Sequence, residues 1–281
     1  MRRLPKPTLS AKAAFEACVQ LRQNEVLRKQ LLALATSIET AEQQYENAGR
    51  ASEFWRIVPS TILNGADHKE VMKSLYSGTF ARLGTNVRST YYDVIRGLPE
   101  HGLCPICGEG TVSELDHYLP KAHYSVYTVT PVNLIPACKD CNKAKSDAVL
   151  KTADEQTLHP YYDDVTGATW LTAATIGNSS ILEFEVSAPV GWPDVIVKRL
   201  KYHLKTFGLY GSYAVLAARR LVTIRWALTQ CFSIGGADEV NRYLTTEAAS
   251  RREVILNSWE IAGYEAWAKS DWFCRGGFKC L

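Results

Sequence analysis

No run of about 18 uncharged apolar residues occurs in this 281-residue chain, which argues against a transmembrane helix. The basic start, MRRLPKPTLS, leads into a mixed amphipathic segment without an apolar signal core, so the pattern predicts a cytoplasmic protein. Strong charge of either sign is also missing. The 32 Lys and Arg against 29 Asp and Glu leave a formal +3, too little by itself to imply a nucleic-acid partner. There is no Gly-x-x-x-x-Gly-Lys-Ser/Thr loop to cradle nucleotide phosphates. Internal repeats and low-complexity tracts are lacking, and no apolar heptad is sustained long enough for a coiled coil. What remains is ordinary for a globular protein: 46% apolar and 22% charged residues. This length suffices for one sizeable core, or for a small module inside a larger helical body.

The chain changes texture three times. From Ser10 to about Gly49, Phe15, Cys18 and Leu21, then Val26, Leu27, Leu31, Leu34 and Ile38, recur at helical spacing, with Asn47-Ala48-Gly49 as a plausible stop. A second helical region spans about Ser52 to Ile95, punctuated by Pro59 and Asn64-Gly65. This front third, residues 1–98, holds no motif that reads as chemistry. Between His101 and Pro160 the chain is rich in Gly, Pro, Cys, His and Asn, which defines a middle module at 99–162. In the remainder, 163–281, Trp170 to Ile176 and Ile181 to Ala188 read as strands joined through Gly177-Asn178-Ser179-Ser180. Helix is expected again from Trp192-Pro193-Asp194 to about Trp272.

Eight cysteines in a chain this long do not suggest a disulfide scaffold. Four of them form two Cys-x-x-Cys pairs, Cys104/Cys107 and Cys138/Cys141. Such a turn places two sulfurs on one ion, and Zn²⁺ takes four in a tetrahedron. Gly108 would relieve the turn after the second ligand. A redox role is the competing reading, but no βαβ pattern surrounds either pair. A Cys₄ site has no open position, so its zinc would be structural. Cys18 and Cys231 read as small core residues, and Cys274 and Cys280 have no assigned role.

The segment inside this frame reads Leu115-Asp116-His117-Tyr118-Leu119-Pro120-Lys121, then Asn133-Leu134-Ile135-Pro136, then Cys141-Asn142-Lys143. In order and type these residues resemble the HNH (ββα-metal) endonucleases, whose zinc-bearing members carry flanking Cys-x-x-Cys pairs. The resemblance covers about Leu103 to Lys145, with His159-Pro160-Tyr161 as a trailing element. It implies a ββα module stapled by zinc within a mainly α protein, hydrolysing phosphodiester bonds in DNA, RNA not excluded, to 5′-phosphate and 3′-hydroxyl ends. Asn142 stands where the family's final His is usual, giving an H-N-N pattern. An amide oxygen there suits a hard cation such as Mg²⁺ or Mn²⁺.

Residue chemistry supports the same roles. His117, with an ordinary pKa of about 6.5, can accept a proton from water near neutral pH. Asp116 offers an anionic oxygen to the cation, and neighbours on a strand face opposite ways. Asn133 would hydrogen-bond the His117 ring or backbone and fix its tautomer, and Asn142 would complete the cation's protein ligands. Lys121, Lys143 and Lys145 are candidate phosphate contacts, with solvated surface lysines as the alternative. His123 could contact DNA or simply lie on the surface. His159 could pack back on the module or line the metal site.

Two wider expectations concern partners. Between Val195 and Ala237 there is no Asp or Glu, while Lys198, Arg199, Lys201, Lys205, Arg219, Arg220 and Arg225 fall there among Tyr202, Tyr210, Tyr213 and Trp226. Clustered cations and aromatic faces suit a nucleic acid, Lys198, Arg199 and Lys201 being the named contacts. A helix pair with its cations facing water or an acidic partner is the alternative. In size and layout the chain is also similar to HNH proteins of bacterial antiphage systems, including Septu-type pairs with a partner ATPase. A catalytically inactive, zinc-stabilised module that binds nucleic acid or protein is the alternative to the enzyme.

Overall fold

The computed structural model describes residues 1–280. The chain divides into two compact units, Met1–Asp164 and Val165–Leu281. Residues 1–98 and the cysteine-framed module both fall within the first unit.

In that unit the first helical region is three helices: α1 (Ala11–Gln20), α2 (Glu25–Leu32) and α3 (Ala35–Ala51). Ser10 caps α1, its hydroxyl accepting from the Ala13 N–H. Asn24 caps α2 in the same way, with Oδ1 3.0 Å from the Leu27 N. A side chain that satisfies a first-turn N–H starts a new helix where the apolar periodicity alone reads through. α3 continues past Gly49, which corrects the expected stop. A Cβ at Gly49 would lie 2.5 Å from Tyr162 Cε1, so the glycine is there to let the Tyr162 ring approach.

The second region is more broken than helical periodicity suggests. Asn64 and Gly65, both at positive φ, turn a short hairpin between β1 (Ile62–Leu63) and β2 (Ala66–Asp67). α4 (Lys69–Leu75) then widens into a π-helical segment, Tyr76–Phe80, and a second one, Arg88–Tyr92, runs into α5 (Asp93–Arg96). Phe15, Cys18, Ile38, Met72, Phe80 and Ile95 share one buried cluster with Leu115, Val129 and Leu134. Each large apolar side chain so buried contributes roughly 1.5–3 kcal/mol. The cluster therefore fastens the module to the N-terminal helices.

The module is a strand pair and a helix. β3 (Glu114–His117) runs antiparallel to β4 (Leu134–Ala137), with Asp116 opposite Ile135 and His117 opposite Leu134. α6 (Lys139–Lys145) follows. Ser146, at φ 54° and ψ −141°, turns the chain out of α6 directly after Lys145. The result is a mainly α protein with small antiparallel sheets, as the sequence predicts.

The second unit opens on the expected hairpin, β5 (Leu171–Thr175) and β6 (Leu182–Val186). Leu182, Phe184 and Val186 are buried while Glu183 and Glu185 are exposed, a period-two face. Four helices follow: α7 (Asp194–Thr206), α8 (Leu209–Arg252), α9 (Trp259–Lys269) and α10 (Asp271–Cys274). α8 is interrupted at Gly235 and Gly236, the latter at φ 61°. Asn257 ties the hairpin to the start of α9: its Oδ1 accepts from the Trp170 and Leu171 N–H groups, and its Nδ2 donates to the Ala168 carbonyl. No helix among the described residues is long and apolar enough to cross a membrane.

Candidate metal centre and nuclease site

The two Cys-x-x-Cys turns converge. The sulfurs of Cys104, Cys107, Cys138 and Cys141 all lie within 4.8 Å of one another, and Cys107 Sγ is 4.0 Å from Cys138 Sγ. Four thiolates around one zinc at Zn–S of about 2.3 Å stand roughly 3.8 Å apart, so the cluster fits that ion with small adjustment. Hydrogen bonds from neighbouring sulfurs push the Cys107 and Cys138 thiols down, while sulfur contacts push Cys104 and Cys141 up. Four sulfurs this close share protons, and a divalent cation is what lets all four ionise together. Gly108 takes φ 82° in the first turn, as its position predicts. Gly110 has a second role that composition did not reveal. Its N–H donates to Cys107 Sγ at 3.3 Å, and a Cβ there would lie 2.7 Å from Cys138 Sγ.

Inside the frame, β3 delivers Asp116 and His117 to different neighbours, both 5% exposed. His117 Nε2 lies 2.9 Å from the Thr128 carbonyl, and its ring meets the Tyr76 ring edge-on at 4.5 Å. A carbonyl only accepts, so this contact puts the imidazole proton on Nε2 and leaves the Nδ1 lone pair as the basic site. Burial holds the His117 pKa well below 6.5, and the Lys121 charge lowers it further. Burial raises the Asp116 pKa, opposed by Lys145.

Asn133 is fully buried but makes other bonds than those expected. Its Oδ1 accepts from the Leu119 N–H at 2.7 Å, and its Nδ2 donates to the Leu119 and Tyr127 carbonyls, each at 3.1 Å. It therefore closes the loop from β3 to β4 rather than bonding His117. The tautomer is set by Thr128, which that loop carries.

Lys145 also departs from expectation. It is not an exposed phosphate contact: it is buried, with Nζ 3.3 and 3.1 Å from the two Asp116 carboxylate oxygens and 2.5 Å from the His117 carbonyl. Asn142 lies three residues earlier on α6, a neighbour of Lys145 along the helix surface, and is partly exposed. By residue type, a carboxylate such as that of Asp116 and an amide oxygen such as that of Asn142 are donors suited to a hard divalent cation.

The other candidate residues are dispersed. Lys121 is partly buried, its Nζ 4.7 Å from the Tyr76 ring centroid. Lys143 is exposed. His123 is partly exposed, 3.8 Å from Asp147. His159 packs back rather than facing Asp116: it is fully buried, 3.0 Å from the Tyr45 hydroxyl, and stacked on Phe54. Its neighbour Tyr161 donates to the Leu134 carbonyl of β4. In the second unit Lys198 and Lys201 are exposed on α7 with Lys205, whereas Arg199 is 1% exposed and faces inward. Sequence reasoning missed Tyr76 and Thr128. Nothing marks Tyr76 apart from other helical core aromatics, and Thr128 acts through its backbone carbonyl, which any residue carries.

Over 297 aligned positions the chain is 26% identical to Protein ea31 of Escherichia phage lambda, covering 98% of this chain and 100% of that protein. That name carries neither an activity nor a partner. No solved structure matches the chain. The stretch that holds the four cysteines, Asp116, His117, Asn133 and Asn142 is the one that matches a family model: residues 104–148 correspond to HNH endonuclease, which supports a nuclease centre here.

Proposed function

We propose that this chain is a metal-dependent endonuclease that hydrolyses phosphodiester bonds in DNA at the Asp116/His117 centre. The observation that carries the reading is the setting of His117: buried, with Nε2 against the Thr128 carbonyl, and next to a buried carboxylate within a frame of four clustered cysteines. Nδ1 of His117 takes the proton from the attacking water. Thr128 orients the ring and steadies the imidazolium that forms, and Asn133 keeps the loop that presents Thr128 closed. A divalent cation held by Asp116 and Asn142 would supply charge neutralisation at the phosphate and at the departing 3′ oxygen. The Cys₄ zinc holds the frame and takes no part in the chemistry. Lys198 and Lys201 on α7, with Lys205, supply a cationic face for the DNA backbone. The antiphage setting and the partner ATPase rest on layout alone.

Plasmid nicking with Mg²⁺ or Mn²⁺ tests this directly. Wild type nicks, leaving 5′-phosphate ends. His117→Ala loses at least about a hundredfold in rate, the usual scale of a general base, while keeping its zinc and its circular dichroism. The same assay on a matched RNA separates the two substrates. The non-catalytic module is favoured by one observation, that Lys145 already neutralises Asp116. Wild-type protein that never nicks under any of these conditions decides for it.

A further inference from the structure

We propose that Lys145 is a built-in competitor for the divalent cation: its ammonium holds Asp116 in the free protein and leaves it when the cation loads. This rests on the cation site of the proposed function and adds the device that controls it.

The geometry accounts for every donor of the side chain. An ammonium has three N–H groups. Here Nζ contacts both Asp116 oxygens, at 3.3 and 3.1 Å, and the His117 carbonyl, at 2.5 Å. Both side chains are 6% exposed, so water does not share the charge. A carboxylate so buried needs a positive partner, and Lys145 supplies it. A divalent cation on the same carboxylate would meet that ammonium at contact range, where repulsion in a poorly screened site is strong. The two cations are therefore alternatives. Exchange needs no backbone movement, because the lysine stem is long and unbranched and Lys145 is the last residue of α6, where the chain turns away at Ser146. Asn142, one turn earlier on α6 and partly exposed, is left to meet the incoming ion. Lys145 thus sets how much Mg²⁺ or Mn²⁺ the centre needs before it works, and it keeps Asp116 paired until then.

The test is a Mn²⁺ titration of the full, zinc-loaded chain, read by electron paramagnetic resonance of free Mn²⁺. Wild type is compared with Lys145→Met, Lys145→Gln and Asp116→Asn, with zinc content and circular dichroism as fold controls. Both Lys145 variants should bind Mn²⁺ about tenfold more tightly, the scale of one charged hydrogen bond, and Asp116→Asn should lose the site. Equal or weaker binding in both Lys145 variants overturns the proposal while leaving the cation site standing. Wild-type-like binding by Asp116→Asn, or binding by none of the chains, overturns the cation site and the proposal with it. Should the Lys145 variants fail to fold, the wild type decides. Amine labelling of Lys145, read by mass spectrometry, should be slow without divalent cation and faster at saturating Mg²⁺. Labelling unchanged by Mg²⁺ rejects the exchange.

Discussion

The Thr128 carbonyl and the surrounding core act on His117 in opposite directions. The hydrogen bond favours the protonated ring, but burial and the Lys121 charge outweigh it and keep the imidazole neutral. The base form therefore persists below pH 6.5. This has a consequence for stability. Unfolding exposes His117 to water, where it takes up a proton below about pH 6.5. The unfolded chain then binds more protons than the folded one, so stability from this residue is full above pH 6.5 and is lost as the pH falls. Melting temperatures of wild type and His117→Gln at pH 7.5 and 5.5 check this: the wild type should lose more on acidification. An equal loss in both would place the pH dependence elsewhere. Gly110 offers a second residue-scale prediction. Gly110→Ala forces a methyl against Cys138 Sγ at 2.7 Å, so the purified variant should hold well under one zinc per chain by elemental analysis. A full equivalent would show that the turn can yield.

Among the elements, the module is the most legible in sequence because side-chain identity carries its chemistry. Two Cys-x-x-Cys pairs, an Asp-His and two asparagines locate β3, β4 and α6 before any packing is known. The same signal misplaces whatever depends on who touches whom. Residue type alone puts Asn133 on His117, yet it closes the loop instead, because an amide with several possible partners has no preferred one until the loop folds. Lys145 reads as a surface cation in sequence and becomes a buried counter-ion once α6 is laid on β3. The π-helical turn at Tyr76 is illegible for another reason: apolar spacing runs through it, and a widened turn is chosen by tertiary packing. A test belongs to the loop. Asn133→Ala removes three bonds that close it and leaves buried backbone groups unpaired. This should cost about 3 kcal/mol in urea unfolding and also lower the nicking rate, since Thr128 is no longer held. A cost under about 1 kcal/mol, the net worth of a single hydrogen bond, would mean that the loop is held by its apolar residues instead.

At the level of the whole molecule, the near-neutral charge conceals a local asymmetry in the second unit. The first contains the proposed cutting centre, sealed by a shared core with the N-terminal helices. The second presents Lys198, Lys201 and Lys205 along one side of α7, at positions i, i+3 and i+7, while Arg199 turns inward. Exposed cations with this spacing form a row, and a row of phosphates is their natural complement. Replacing all three lysines with Gln should weaken DNA binding and reduce the slope of log affinity against log salt by about 0.9 for each phosphate no longer neutralised. The fold should be spared, since none of the three is buried. At saturating DNA the nicking rate should stay at the wild-type value, because the proposed chemistry assigns these lysines to binding alone. A variant with the wild-type salt slope would remove α7 from the interface. A variant that binds normally but cuts slowly would show instead that the second unit acts on the chemistry, and the separation of binding from cutting would fall.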